Sequence, residues 1–159
     1  MAIALRLPPT ATRVERHTPM RINEAIRARS DAEIARLEDA DEEEMARRLE
    51  QLDGEWDIER ALQINASIVA SAGLLLGVLV DRRFLWLPAG VFAFFAQHAL
   101  QGWCPPISVM RRLGVRTARE IARERHAIKA LRGDFDHVPR EGSAEPGRRV
   151  RAALHAIDL

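Results

Sequence analysis

The sequence predicts an all-α protein with a transmembrane helical hairpin and amphipathic cytoplasmic helices on both sides of it. Three observations lead to this prediction. Two blocks, residues 61–80 and 84–110, contain no charged residue. A loop of three residues, Asp81-Arg82-Arg83, separates them. The flanking segments are strongly charged, although the chain of 159 residues has a net charge of only +1.

The composition excludes several classes of protein. The single cysteine, Cys104, rules out an intrachain disulfide framework and a zinc or iron–sulfur site built from several cysteines of one chain. The hydrophobic content of 47% is too high for a wholly disordered chain. The near-zero net charge gives no support for nucleic-acid binding. We find no Ser/His/Asp set, phosphate loop or paired-carboxylate site, so the sequence predicts neither an enzyme nor a cofactor.

The segment before the hairpin divides into two parts. Residues 1–29 contain three prolines and scattered apolar residues, so we expect them to be mostly disordered. A capping-box pattern of Ser30 and Glu33 predicts an acidic amphipathic helix over residues 30–54, closed by Gly54. Apolar residues recur along this helix at helical spacing: Ile34, Leu37, Met45, Leu49 and Leu52.

The two uncharged blocks have the length of membrane spans. About 20 helical residues at roughly 1.5 Å each cross a hydrocarbon core of about 30 Å. We therefore predict spans at about 61–80 and 86–104, within a hairpin at 56–110. Pro105 should end the second span. Tryptophans are placed to anchor the hairpin at the membrane interfaces: Trp56, Trp86 and Trp103. The alternative, a hairpin buried in a soluble protein, would need a larger apolar shell than the charged arms supply.

Two sets of residues within the spans predict helix packing. Small residues on one face of the first span allow another helix to approach closely: Ala66, Ala70, Gly73 and Gly77. This face can pack on the second span or on a second copy of the chain. Polar residues fall near one membrane depth, where we expect hydrogen bonds between the helices: Gln63, Asn65, Gln97, His98 and Gln101. A small-solute path through an oligomer is the alternative for this polar layer.

The segment after the hairpin is basic. A second capping box, Thr117 with Glu120, lies within a predicted basic helix over residues 111–133. Several arginines are candidate contacts to anionic lipid or to a protein partner: Arg111, Arg112, Arg116, Arg119 and Arg123. The acidic helix is one such partner, and a solvated face without a partner is the alternative. Residues 134–159 predict a flexible tail in which Val150–Ile157 can form a short helix.

The short loop requires both termini to lie on the same side of the membrane. The arms offer more arginine and lysine near the spans than the loop does, so the positive-inside rule predicts cytoplasmic termini. We therefore expect a bacterial inner-membrane protein that serves as an anchor or interaction module. Its expected partners are the lipid bilayer and either a second copy of the chain or another protein.

The two ends of the hairpin resemble the YgaP-like inner-membrane domain, a bacterial two-span family. The resemblance rests on the entry Ile58-Glu59-Arg60-Ala61-Leu62 and the exit Gln101-Gly102-Trp103-Cys104-Pro105, and it covers residues 56–114. That domain is often joined to a rhodanese sulfur-transfer domain, whose alternating strand–helix pattern and second cysteine are not seen here.

The resemblance implies a two-span membrane domain and at most a sulfur-related setting. The alternative function is therefore a redox or sulfur-handling membrane protein that uses Cys104. Its thiol could accept a persulfide, bind a metal with a partner chain or sense oxidants, and a simple packing role at the helix exit is the other interpretation.

Overall fold

The computed structural model describes residues 8–139 and 147–158, and every regular element in these residues is helical. Two short 3-10 turns lie at Thr10–Thr12 and Arg82–Leu85. The α-helices are α1 (Arg13–Arg16), α2 (Met20–Arg36), α3 (Glu42–Gly54), α4 (Ile58–Leu79), α5 (Trp86–Gln101), α6 (Pro105–Arg112), α7 (Ala118–Arg132) and α8 (Arg148–Asp158). The predicted all-α class is confirmed for this part of the chain.

The chain forms two compact units. The first comprises Met1–Ala28 with Trp56–Glu120, and the second comprises Arg29–Glu55 with Ile121–Leu159. The first unit contains the hairpin of α4 and α5, which the 3-10 turn connects. Its buried apolar cluster joins α1, the entry of α4 and the start of α6 through Val14, Ile58, Leu62, Cys104 and Ile107.

Only one helix is long and apolar enough to cross a membrane among the described residues. It lies in the stretch Glu42–Leu79, and its apolar part is α4. Helix α5 has 16 residues, fewer than the 18 that this criterion requires. The structure therefore contains a helical hairpin, whereas two membrane spans remain a proposal.

The second unit is built from acidic and basic helices that share one core. Asp41 begins α3 by accepting a hydrogen bond from the backbone N–H of Glu44 at 2.7 Å. The apolar side of α3 packs with residues of α7, and with Leu37 between α2 and α3, in a buried cluster: Leu37, Met45, Leu49, Leu52, Ile121 and Ile128. The predicted stripe thus has its cover within the chain, since four of its positions lie in this cluster.

The structure differs from the prediction before the hairpin. Residues 1–7 lie outside the described residues, but α1 and α2 occupy much of the segment from residue 8 to 29 that we expected to be disordered. Buried Val14 and Ile26 hold these helices, and two anchors are too few to give a periodic sequence pattern. Ser30 lies inside α2 and is 5% exposed, so the first capping box does not begin a helix.

The exit of the hairpin also differs from the predicted boundaries. Helix α5 ends at Gln101 rather than near residue 104, and Pro105 takes the first position of α6, where a missing N–H costs nothing. The predicted basic helix over 111–133 is therefore divided between α6 and α7. Helix α8 lies in the predicted tail, of which residues 140–146 and 159 fall outside the described part.

The second capping box is present as predicted. Thr117 donates its backbone N–H to Glu120 Oε2 at 2.8 Å, and Glu120 donates its own N–H to Thr117 Oγ1 at 3.2 Å. These reciprocal bonds satisfy two donors that a helix N-terminus leaves unpaired. Helix α7 then runs to Arg132, and Gly133 follows with a φ of +86°.

Candidate functional site at the base of the hairpin

Gly73 and Gly77 lie where α4 meets the start of α5. A Cβ atom on Gly73 would stand 2.7 Å from Pro88 Cδ, and one on Gly77 would stand 2.5 Å from Leu85 Cδ2. Both glycines are needed for this close approach, so this part of the small-residue face packs within the hairpin. Ala66 and Ala70, on the same helix, are half-buried.

A charged network lies at the base of the hairpin, which is the end where α4 begins and α5 finishes. Glu59 Oε2 is 2.8 Å from His98 Nε2, and Glu59 Oε1 accepts from Arg13 at 2.9 Å. Because an ionised carboxylate only accepts hydrogen bonds, His98 is the donor in this contact, through Nε2. We call Arg13, Glu59 and His98 the base triad. It connects α1, α4 and α5.

Gly102 allows α1 to reach this site. It follows α5 with a φ of +78°, a left-handed conformation that favours glycine. A Cβ atom at this position would stand 2.6 Å from the backbone carbonyl carbon of Arg13. The backbone of Arg13 therefore packs directly against Gly102, the glycine of the exit motif. This close approach places the Arg13 guanidinium within hydrogen-bond distance of Glu59.

A second polar cluster holds α6 and α7 against the N-terminal helices of the same unit. Arg111 is 1% exposed and donates two hydrogen bonds to the carboxylate of Glu120, at 2.6 and 2.7 Å. It also donates to Asn23 at 2.8 Å. Thr117 donates to Glu15 at 3.2 Å. The five residues of this network come from both sides of the hairpin, Glu15 and Asn23 before it and Arg111, Thr117 and Glu120 after it.

The pKa of Glu120 is lowered by this surrounding. Burial alone would raise the pKa of the carboxyl, because it disfavours the charged form. The hydrogen bonds from Arg111 and Thr117 favour the charged form more strongly, and the net pKa lies below its usual value. Glu120 is therefore an ionised partner for the buried arginine.

The predicted polar layer is brought together only in part. His98 is 2% exposed and pairs with Glu59, which lies outside the predicted polar layer. The geometric reason is that Glu59 lies on the first turn of α4, beside the last turns of α5. Gln97 instead donates to Gln101 at 2.9 Å along its own helix, and Gln63 and Asn65 are exposed.

Cys104 lies in the core of the first unit and is 2% exposed. It lines an apolar groove of about 300 Å³ between α4 and α5, together with Leu62, Val69 and Phe94. Burial raises the pKa of the Cys104 thiol above its ordinary value. The side chain is positioned as a packing residue more than as a reactive thiolate.

The three tryptophans are exposed at the surface of the first unit. Trp86 is 80% exposed, Trp56 is 47% exposed and Trp103 is 37% exposed. The guanidinium of Arg60 lies 4.8 Å from the ring centroid of Trp56, a cation–π distance.

The arginines predicted to contact lipid or a partner fall into two groups. Arg111 and Arg116 are buried, so the prediction is wrong for them: both side chains are enclosed within the first unit. Arg112 is exposed. The side chains of Arg119 and Arg123 are 56% and 44% exposed and form ion pairs with Glu15 and Asp31, respectively.

Ion pairs in the second unit join α3 to α7, and in one of them the basic residue lies on the acidic helix α3 and the acid lies on α7. Arg48, on the acidic helix, donates to Glu124 of the basic helix at 2.6 and 2.9 Å. Glu124 is fully buried. Arg125 pairs with Asp53 at 2.7 Å in the expected direction. The acidic and basic helices are therefore partners of each other.

Sequence reasoning missed the roles of Arg13, Glu59 and Glu124. Glu59 belongs to the entry motif, but only the antiparallel hairpin reveals that it faces His98. Arg13 lies in a segment without helical periodicity. Glu124 is an acidic residue within the arginine-rich helix α7. This departure from the basic pattern could have indicated that it has a buried partner.

Comparison of the chain with protein-family models gives no match. Comparison with curated proteins and with solved structures also gives no significant match. The similarity to the YgaP-like domain therefore stays a prediction.

Proposed function

We propose that the protein is an integral protein of the bacterial inner membrane. In this proposal α4 and α5 cross the bilayer as a hairpin, both termini lie in the cytoplasm, and the polar helices serve interaction rather than catalysis. The lipid bilayer is the first partner, and a second copy of the chain or another protein is the second.

The exposure of apolar side chains along the hairpin carries this proposal. Leu79, Val78 and Ile68 are 77%, 73% and 64% exposed, and on α5 Phe92 is 64% exposed. Only 22% of the most apolar 18-residue window, which lies in α4, is buried, whereas the core helix of a soluble protein is mostly buried. Leaving this surface in water forfeits about 25 cal/mol for each Å² of apolar area. A bilayer would cover it.

The charge pattern of the hairpin supports the same conclusion. The uncharged part of α4, residues 61–79, is about 28 Å long at roughly 1.5 Å per residue, close to the thickness of a hydrocarbon core. Charged side chains lie at its two ends, with Glu59 and Arg60 at the base and Arg82 and Arg83 at the turn. Phe84 and Leu85 extend the apolar surface of the shorter α5 into that turn.

The second unit supports an interaction role. The apolar side of α3 is buried within the unit, so a partner of this helix would meet charged side chains. Exposed acidic residues of this unit include Glu38, Asp39, Glu42, Glu43 and Glu50. Because an anionic lipid surface would repel such a face, a basic protein surface is the partner that it favours.

Alkaline carbonate extraction tests the membrane assignment. We expect the full chain to stay with the membrane pellet, and its release into the soluble fraction would contradict the proposal. Orientation is tested by single cysteines in a Cys104→Ser background, labelled on intact cells with an impermeant maleimide. Arg82→Cys should react from outside, whereas Arg112→Cys, the matched control, should react only after lysis.

The alternative function depends on Cys104, and its groove is the one observation that favours it. A small apolar sulfur species could enter there, but the buried, protonated thiol is poorly suited to attack it. We expect no persulfide or oxidation adduct on the native protein under sulfur loading. Mass detection of such an adduct, absent from the Cys104→Ser variant, would favour the alternative.

A further inference from the structure

Helix α8 buries one side and leaves an apolar stripe exposed. Ala156 is 2% exposed, whereas Val150, Leu154 and Ile157 are 61%, 55% and 53% exposed. The three exposed residues recur at spacings of four and three, so they lie on one face of the helix. The hydrophobic core of the second unit does not include this stripe.

A buried lysine fixes the end of α8. Lys129, on α7, is 1% exposed and donates to the backbone carbonyl of Ile157 at 2.6 Å. The last carbonyls of a helix lack partners within the helix, and a cation at this end also suits the helix dipole. The contact holds the C-terminal end of α8 on the second unit while its apolar stripe stays exposed.

Basic side chains lie on both sides of this stripe. At about 100° per residue, Arg149 and Arg151 project roughly 100° to either side of Val150. Arg148 adds a third positive charge, and the only acid of the helix is Asp158 at its end. This arrangement of apolar stripe and flanking arginines has the chemistry of a helix that lies in a membrane interface.

We propose that α8 docks on an anionic bilayer surface. Val150, Leu154 and Ile157 enter the boundary between headgroups and acyl chains, and Arg149 and Arg151 bind lipid phosphates. Charge complementarity selects an anionic bilayer, and the shallow stripe of three side chains needs no shaped protein groove. The inference rests on the proposed function for the presence of a bilayer beside the chain, but it does not use the hairpin residues.

The test places a fluorescent label at the centre of the stripe. The full chain with Cys104→Ser and Leu154→Cys, labelled with an environment-sensitive dye, is assembled in nanodiscs of phosphatidylcholine alone or mixed with phosphatidylglycerol. We expect emission at shorter wavelength only with phosphatidylglycerol, and its reversal at high salt, which screens the arginines. The control His155→Cys, on the polar side of α8, should give the same spectrum in both discs.

Charge variants measure the contribution of the arginines. Each basic residue near an anionic surface corresponds to about a fivefold factor in binding, so Arg149→Gln with Arg151→Gln should lower the ratio of docked to undocked helix roughly 25-fold. Lysine at both positions should preserve docking. Arg47→Gln, on another helix of the same unit, is the matched control, and far-UV circular dichroism verifies that helix content is unchanged.

Two results would overturn the inference. One is the same Leu154→Cys spectrum in both discs, and the other is docking that is as strong with Arg149→Gln and Arg151→Gln as in the wild type. If the hairpin were not integral to the membrane, the result would be different, because the chain would then not copurify with discs of phosphatidylcholine alone. In that case, flotation of the labelled chain with anionic vesicles still tests α8.

Discussion

Glu59 and His98 are 39 positions apart in the sequence, and their side chains are joined at 2.8 Å across the base of the hairpin. The other oxygen of Glu59 accepts from Arg13. One carboxylate therefore ties the start of α4 to the end of α5 and to α1. This relationship adds polar contacts to the apolar contact between the two long helices of the first unit.

Removal of the Glu59 carboxylate should destabilise the first unit. In Glu59→Ala, the buried imidazole and the Arg13 guanidinium both lose their acceptor, and a buried donor without a partner costs about 1–3 kcal/mol. We expect a lower midpoint of thermal unfolding in detergent, followed by circular dichroism. Glu50→Ala, an exposed carboxylate in α3, is the control; an equal change in both variants would argue against the base triad.

Gly102→Ala should separate α1 from the hairpin. The substitution strains a left-handed backbone by about 1–2 kcal/mol and places a methyl group against the Arg13 backbone. We expect faster hydrogen exchange in residues 10–18, measured by mass spectrometry. Gly90→Ala is the matched control because a Cβ atom there meets nothing within 4 Å, and protection of residues 10–18 equal to wild type in Gly102→Ala would contradict the prediction.

Gly77→Ala distinguishes the two interpretations of the small-residue face. The added methyl group collides with Leu85, so the hairpin must open locally, and overpacking of this kind costs typically 1–3 kcal/mol. We expect lower thermal stability in detergent and an unchanged oligomeric state by light scattering. A change of oligomeric state without loss of stability would instead favour a glycine interface between two copies, and Gly90→Ala again serves as control.

The lowered pKa of Glu120 predicts a pH dependence of stability. A carboxyl whose pKa is lower in the folded state contributes stability above its unfolded pKa, about 4.3, and loses it as the pH falls through the folded pKa. Glu120→Gln should therefore cost stability at pH 7 and reduce the decline on acidification. Unfolding midpoints measured across this acid range test the prediction, with Glu50→Gln expected to follow the wild type.

Glu124 makes the second unit depend on a buried charge pair. Its loss in Glu124→Ala leaves Arg48 without this partner, and breaking a buried pair costs about 3–5 kcal/mol. We expect loss of hydrogen-exchange protection in α3 and α7. The double variant Arg48→Leu with Glu124→Leu should recover part of it, because the charge of Arg48 is removed together with that of Glu124.

The control for that pair is a surface ion pair of the same helix. Arg47 and Glu43 are 57% and 81% exposed, so Arg47→Ala should change stability by less than about 1 kcal/mol. If Glu124→Ala were as mild as Arg47→Ala, the charge pair would not contribute to the structure of the second unit.

The sequence by itself determined the hairpin and several helix ends. Two blocks without charge and a three-residue loop define α4 and α5. An isolated charge in such a helix is costly, and the absence of charged residues from each block can be read directly from the sequence. Thr117 and Glu120 define the start of α7 for a similar reason: the two reciprocal hydrogen bonds join residues only three positions apart. Local chemistry of this kind can be predicted from one chain.

Only the tertiary structure decided which side chains face each other. His98 pairs with Glu59 rather than with a glutamine of the predicted polar layer. Arg13 packs against Gly102 and donates to Glu59. Arg111 is a buried ion-pair donor to Glu120, whereas the sequence predicted a contact to lipid or a partner. Each pairing joins separate helices, and helix periodicity fixes the face of a residue without fixing its neighbour. The pairing of the acidic and basic helices is likewise a feature of the folded chain. Their shared core forms only when residues about 80 positions apart in the sequence come into contact.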